Sequence, residues 1–180
     1  MARIDLPEKG WVPSSVWEIY TQAENRVGYI PNTLKATSHS IRSMRAIDQF
    51  LEVYEQQGTL DSELRILASL AATKRNNNEY GVDQVRSQAR RFFVSDDKME
   101  KVLDDDLATL DPREQAIIRF AQAMTDKADA GEEVLEAVRE FLSEEKIVEL
   151  TFIVAGRNFL DRIQCTFEID PEPELTAGLN

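Results

Sequence analysis

Between Leu34 and Tyr54 the apolar residues Leu34, Ile41, Met44, Ile47, Phe50, Leu51 and Tyr54 recur at helical spacing. Residues able to break runs of this kind are scarce through the middle of the chain. Only seven Gly and six Pro occur in 180 residues, and most Pro lie near the ends. That pattern predicts an all-α protein rather than a sandwich rich in turns. The length suffices for one domain with a substantial core. No repeat and no inter-domain linker is visible, so a single helical domain is expected over residues 1–170.

The punctuation places the helices. Pro13-Ser14-Ser15 opens a first helix with an aromatic face, and Gly28-Tyr29-Ile30-Pro31 breaks the chain before a cap at Asn32 or Thr33. Ser38 to Ser40 interrupts the run that ends near Gln57. Gly58 to Asp61 stops that run and caps the next, whose apolar face is Leu64, Leu67, Ala68 and Ala71. The triple Asn76-Asn77-Asn78 is the least helical spot in the middle, because Asn side chains compete for backbone hydrogen bonds. A helix from about Asn78 to Phe93 follows, then a short one capped by Ser95.

Asp111-Pro112-Arg113-Glu114 is a strong helix start, with a cap, Pro in the first turn and an early carboxylate. Gly131 opens another helix that buries Val134, Leu135, Val138, Phe141 and Leu142. The last, Ile147 to about Phe167, is apolar nearly all round, a pattern of central helices or of helices shared with a neighbouring subunit. Beyond Asp170 the Pro-Glu-Pro-Glu stretch is expected to be a disordered tail over 171–180.

A net charge of −12 and a pI near 4.6 argue against nucleic-acid partners, since phosphate binding needs a basic face, and against an anionic membrane surface. The first residues contain no apolar run like a signal sequence, and no stretch reaches the roughly 18 apolar residues of a spanning helix. One cysteine, Cys165, cannot form an internal disulfide. A cytoplasmic protein is the expectation.

The segment Leu64 to Ala68, Asn77-Asn78-Glu79-Tyr80 and Ala89-Arg90 resembles the core of the AhpD-like/carboxymuconolactone decarboxylase family. Arg26 to Leu34 resembles that family's Gly-x-x-Pro-Asn entry, and Ala36 to Ser40 the turn after it. Glu114 to Ala121 resembles its second-half helix, and Lys146 to Thr151 with Arg157-Asn158 and Asp161-Arg162 its C-terminal helix. The ordered set covers most of residues 26–170 and looks closest to the peroxidase-related branch. The resemblance implies an AhpD-like helical bundle, assembly into homo-oligomers and a pocket beside the Asn78–Val85 helix. Members with thiol peroxidase activity carry Glu at the position of Ile66, cysteines at those of Asn78 and Gly81, and His at that of Val85. All four are replaced here.

A dithiol mechanism needs an attacking thiolate, a resolving thiol within one turn and a proton carrier. Asn78 and Gly81 keep the spacing without the sulfur, and Ile66 and Val85 cannot move a proton. Dithiol peroxidase activity is not expected, and Cys165 is the one remaining sulfur nucleophile, with Arg162 three residues before it. No cofactor and no metal centre is expected, because His39 is the only His and no ligand cluster accompanies it.

Ile66, Asn78, Gly81 and Val85 are the expected lining of a small-molecule pocket, a set roomier and more apolar than Cys/Glu/His. His39 either lines that pocket or stands at a helix end or on the surface, the commoner place for a lone His. Glu79 and Asp83, four apart on one face, and Tyr80 are the candidate acid/base groups. The alternative for the two carboxylates is a solvated face paired with Arg75 and Arg86. Arg157 with Asp161, four apart, suggests an internal ion pair. Arg157 or Arg162 would anchor an anionic substrate if a pocket lies beside them. The reading placed first is a cofactor-independent lyase or isomerase acting on a small carbonyl or carboxylate metabolite. The alternatives are a non-catalytic ligand-binding or oligomer-scaffold relative, and an alkylhydroperoxidase-like enzyme using Cys165.

Overall fold

The computed structural model describes residues 2–176, which form helices and no strand. A 3-10 turn, Lys9–Trp11, precedes α1 (Ser14–Val27), α2 (Asn32–Thr37), α3 (Ile41–Tyr54), α4 (Ser62–Arg75) and α5 (Glu79–Arg91). Then come α6 (Asp96–Leu103), α7 (Pro112–Lys127), α8 (Glu132–Arg139), α9 (Glu144–Phe167) and α10 (Pro173–Thr176). Two compact units divide the described residues, one of 2–56 with 163–176 and one of Gln57–Arg162.

In the first unit α1 buries Val16, Ile19, Tyr20 and Ala23. The Tyr20 hydroxyl donates to the Pro7 carbonyl at 3.0 Å, and burial pushes its phenol above the usual range. Gly28 closes α1 at φ 91°, donating its N–H to the Glu24 carbonyl, a left-handed position where a side chain is strained. Arg26 ties α1 to α3 through Asp48 at 2.9 Å and Glu55 at 3.2 Å.

Two expectations are corrected in this unit. The cap of α2 is not Asn32 or Thr33: Pro31 stands at the N-cap, and the Glu172 carboxylate accepts the Asn32 N–H. The stretch read as a tail from residue 171 instead holds the turn α10, with Glu172 and Leu175 buried. Its composition suggested solvation, whereas one carboxylate finds an orphan donor at a helix start. Residues 177–180 lie outside the described set.

The second unit is organised around α4, which Asp61 caps by accepting the Glu63 N–H. Leu64 and every residue from Ile66 to Thr73 are buried, so α4, not α9, is wrapped on nearly all sides, by α5, α6 and α7. The start of α7 is as expected: Asp111 accepts the Arg113 N–H at 2.9 Å, Glu114 accepts the Asp111 N–H at 3.1 Å, and Pro112 opens the helix. Lys98 of α6 bridges Glu114 of α7 at 2.5 Å and Glu63 of α4 at 2.7 Å, and those carboxylates push its ammonium up to about 12. Ser95 stands at the N-cap of α6 but makes no side-chain capping bond. Phe141 lies past the end of α8 and is exposed, and Val134 and Leu135 are only half-buried.

The apolar character of α9 is also not all inward. Ile147, Leu150, Ile153, Val154 and Leu160 are buried, while Val148, Phe152 and Phe159 stand on the surface. One strip of its buried face is polar: Arg157, Asn158 and Asp161.

Candidate functional site

Asn76, Asn77 and Asn78 end α4 and start α5, at the break the triplet predicts. Asn76 caps α4, Asn77 is left-handed at φ 53°, and Asn78 is the N-cap of α5 without a side-chain capping bond. The Asn78 amide has another use. Its Nδ2 donates to Asp161 Oδ1 at 2.7 Å.

Asp161 is wholly buried and collects donors from three elements. Arg157 Nε, one turn earlier on α9, lies 2.7 Å from Oδ1, and Asn76 Nδ2 lies 2.8 Å from Oδ2. The Thr73 hydroxyl sits 3.1 Å from both carboxylate oxygens. Burying a carboxylate is costly unless charge and hydrogen bonds compensate, and here both are supplied.

The network continues outward. Asn76 Nδ2 also donates to Asn158 Oδ1 at 2.7 Å, and Asn158 Nδ2 donates to Thr125 Oγ1 at 3.1 Å. On the other side Arg157 Nη1 donates to Gln84 Oε1 at 3.2 Å, and Gln84 Nε2 donates to the Tyr80 hydroxyl at 3.2 Å. This set fastens α4, α5, α7 and α9 at one level.

Gly81 explains how close the helices come. A Cβ placed there would lie 2.7 Å from Asn78 Nδ2 and 2.9 Å from both Asp161 Oδ1 and Thr73 Oγ1. Real Cβ contacts are not that short, so α5 presents bare backbone to the carboxylate. The expected cavity is therefore corrected: the space over Gly81 is filled by the Asp161 network. Ile66 and Val85 are 2% and 1% exposed and belong to the apolar core of the unit.

His39 is exposed in the first unit, its Nε2 2.9 Å from the Asp5 carbonyl oxygen. Arg162 is exposed and donates to the Asn158 carbonyl at 2.9 Å. Arg157 is committed to Asp161 and Gln84 rather than to an anion site. Tyr80 is buried, Glu79 exposed and Asp83 half-buried. Burial lifts the Asp83 carboxyl above its usual range, Arg86 and Arg90 pull it down, and Glu79 adds to the lift. Of the two arginines expected beside these carboxylates, Arg86 acts on Asp83 through its charge, and the ion pairs of both go elsewhere. Arg75 bonds Asp126 at 3.1 Å and Arg86 bonds Glu100 at 2.6 Å.

Thr73, Asn76 and Thr125 were not foreseen as parts of the site. The one signal available was the Asn triplet itself, three amides at the end of the central helix. A separate open hollow of about 460 Å³ is lined by Asp105, Asp106, Leu107, Ala108, Arg119 and Gln122. It includes none of the residues singled out from the sequence. Among the described residues no group of three or more His, Cys, Asp or Glu is placed to hold a metal ion.

No family model and no curated protein matches the chain by sequence. Solved structures do match in three dimensions. An uncharacterized peroxidase-related protein from Ralstonia eutropha, described as an alkylhydroperoxidase AhpD core, superposes with a TM-score of 0.82 at 20% identity, covering 97% of this chain and 94% of that one. The fold is AhpD-like. A peroxidase-related protein from Silicibacter gives a TM-score of 0.84 at 18% identity over 99% and 96% of the two chains. The debrominase Bmp8, as a variant in complex with 2,3,4-tribromopyrrole, gives 0.77 at 18% identity over 92% and 90%.

Proposed function

We propose that this chain is a non-catalytic protein of AhpD-like fold that works through self-association, with its former reaction site turned into a structural lock. One observation carries the reading: the positions where the family's peroxidases hold cysteines, Asn78 and Gly81, here supply a donor and a bare backbone face to the buried Asp161. A carboxylate that accepts from four side chains has its lone pairs in use and leaves none for a substrate or a metal. The chain lacks a cysteine pair, so no intramolecular disulfide can complete a peroxidase cycle. A cytoplasmic location belongs to this reading. Among the described residues no helix is long and apolar enough to cross a membrane.

Turnover and mass, measured on one preparation, test it. We expect no consumption of an alkyl hydroperoxide in the presence of a dithiol and no bromide release from 2,3,4-tribromopyrrole. Light scattering should give a multiple of 20.5 kDa. Peroxide turnover lost in Cys165→Ser would install the Cys165 reading instead, and a monomer would remove the assembly.

One observation favours a second reading, a cofactor-independent lyase or isomerase on a small carbonyl or carboxylate ligand. The Asp83 carboxyl, lifted by burial and flanked by Glu79, is a group suited to proton transfer nearer neutral pH than an ordinary Asp. Turnover of any such compound that disappears in Asp83→Asn, while that variant keeps the parent's helicity and urea midpoint, would decide for it.

A further inference from the structure

The outward face of α9 has its own pattern. Glu145, Val148, Phe152, Ala155, Phe159 and Arg162 are all exposed, and they are spaced alternately three and four residues apart. Four of the six, Val148, Phe152, Ala155 and Phe159, are apolar, and apolar side chains at that alternation form the seam of a helix pair. The stripe spans about 26 Å at the rise of an α-helix. Val148 is 68% exposed, Phe152 41% and Phe159 45%.

The stripe matches itself only in reverse. Against a second α9 running antiparallel about a two-fold axis, Phe152 meets Ala155 of the second copy and Phe159 meets Val148. Large thus faces small at each level. At both ends Glu145 meets Arg162, opposite charges in reach of one another. A parallel pairing would set Phe on Phe, leave a gap between two Ala155 residues, and place Glu145 against Glu145. The antiparallel arrangement is isologous, so each favourable pair occurs twice.

We infer that a second copy of this chain docks antiparallel along this face of α9, with the Phe152–Ala155 contacts at its centre. The inference rests on the reading that the chain self-associates and names the surface through which it does so. The inner face of the same helix supplies Asp161 to the lock, so α9 serves the fold with one side and assembly with the other.

Swapped variants test the pairing by sedimentation velocity. Ala155→Phe sets Phe against Phe and should weaken association by about tenfold or more, as should Phe152→Ala. The double variant Phe152→Ala/Ala155→Phe restores a large-small pair and should return to within a few-fold of the starting affinity. Glu145→Arg and Arg162→Glu should each weaken association, and their combination should recover it. These charge variants lie at exposed positions, so they remain informative if Phe152→Ala fails to fold by circular dichroism. Single variants that leave a stable oligomer unchanged would overturn the seam and leave self-association standing. A wild-type monomer at tens of micromolar would overturn both.

Discussion

Gly81→Ala separates a lock from an ordinary helix position. In the first turn of a helix, Ala in place of Gly gains up to about 1 kcal/mol by lowering backbone entropy in the unfolded chain. Here the new methyl would stand 2.7 Å from Asn78 Nδ2 and 2.9 Å from Thr73 Oγ1, both donors to Asp161. Neither atom can move aside without lengthening its bond to the carboxylate. Hydrogen bonds to a charged group are worth about 1.5–3 kcal/mol each. Disturbing two of them outweighs the gain and leaves a net loss of about 2–5 kcal/mol. Urea unfolding followed by circular dichroism, with equal slopes for the two proteins, measures the difference. A variant equal to or more stable than the parent would refute the reasoning, because it would mean that the space over Gly81 is open.

Three other outcomes follow from the geometry. Asp161→Asn leaves the buried Arg157 guanidinium without its counter-charge and should cost about 3–5 kcal/mol in the same assay. Burial raises the Glu149 carboxyl, but the Thr59 hydroxyl and the Leu60 and Thr59 N–H groups outweigh it and hold the group below its ordinary value of 4.5. The folded state therefore binds this proton less readily than the unfolded chain. Its stabilisation is present above that value and lost as pH falls through the lower folded value, so Glu149→Gln should flatten the acid limb of a stability-versus-pH curve. Phe93 ends α5 in the left-handed conformation at φ 57° while 93% exposed, with the Val94 N–H bonded to the Ala89 carbonyl. Glycine suits that position and no burial is lost, so Phe93→Gly should raise stability by about 1 kcal/mol in thermal unfolding.

Local chemistry made most of the fold legible. Asp61 and the Asp111–Glu114 box each start a helix through a bond to a near neighbour, and those bonds form as their sequence suggests. Gly28 and Ser40 fall at the expected breaks, and their capping bonds are local as well. Arg157 and Asp161 were readable as an ion pair for the same reason, being one helical turn apart. Thr73, Asn76 and Asn78 were not readable as its partners, because they reach Asp161 from 83 to 88 residues away. Glu172 likewise meets Asn32 across 140 residues of chain, and nothing in a Pro-Glu-Pro-Glu stretch foretells it. The outward stripe of α9 was legible in part, since an apolar run all round marks a helix that is either central or shared with a neighbour. Phe152 and Phe159 look the same in sequence whether a helix is buried inside one chain or paired between two.

The lock between Asn78 and Asp161 is best tested by a double-mutant cycle, with Asn78→Ala, Asp161→Ala and their combination unfolded in urea. The account predicts a coupling of about 1.5–3 kcal/mol, since the bond joins an amide to a buried charge. Purely additive effects, with Asp161→Ala tolerated like a surface substitution, would contradict it.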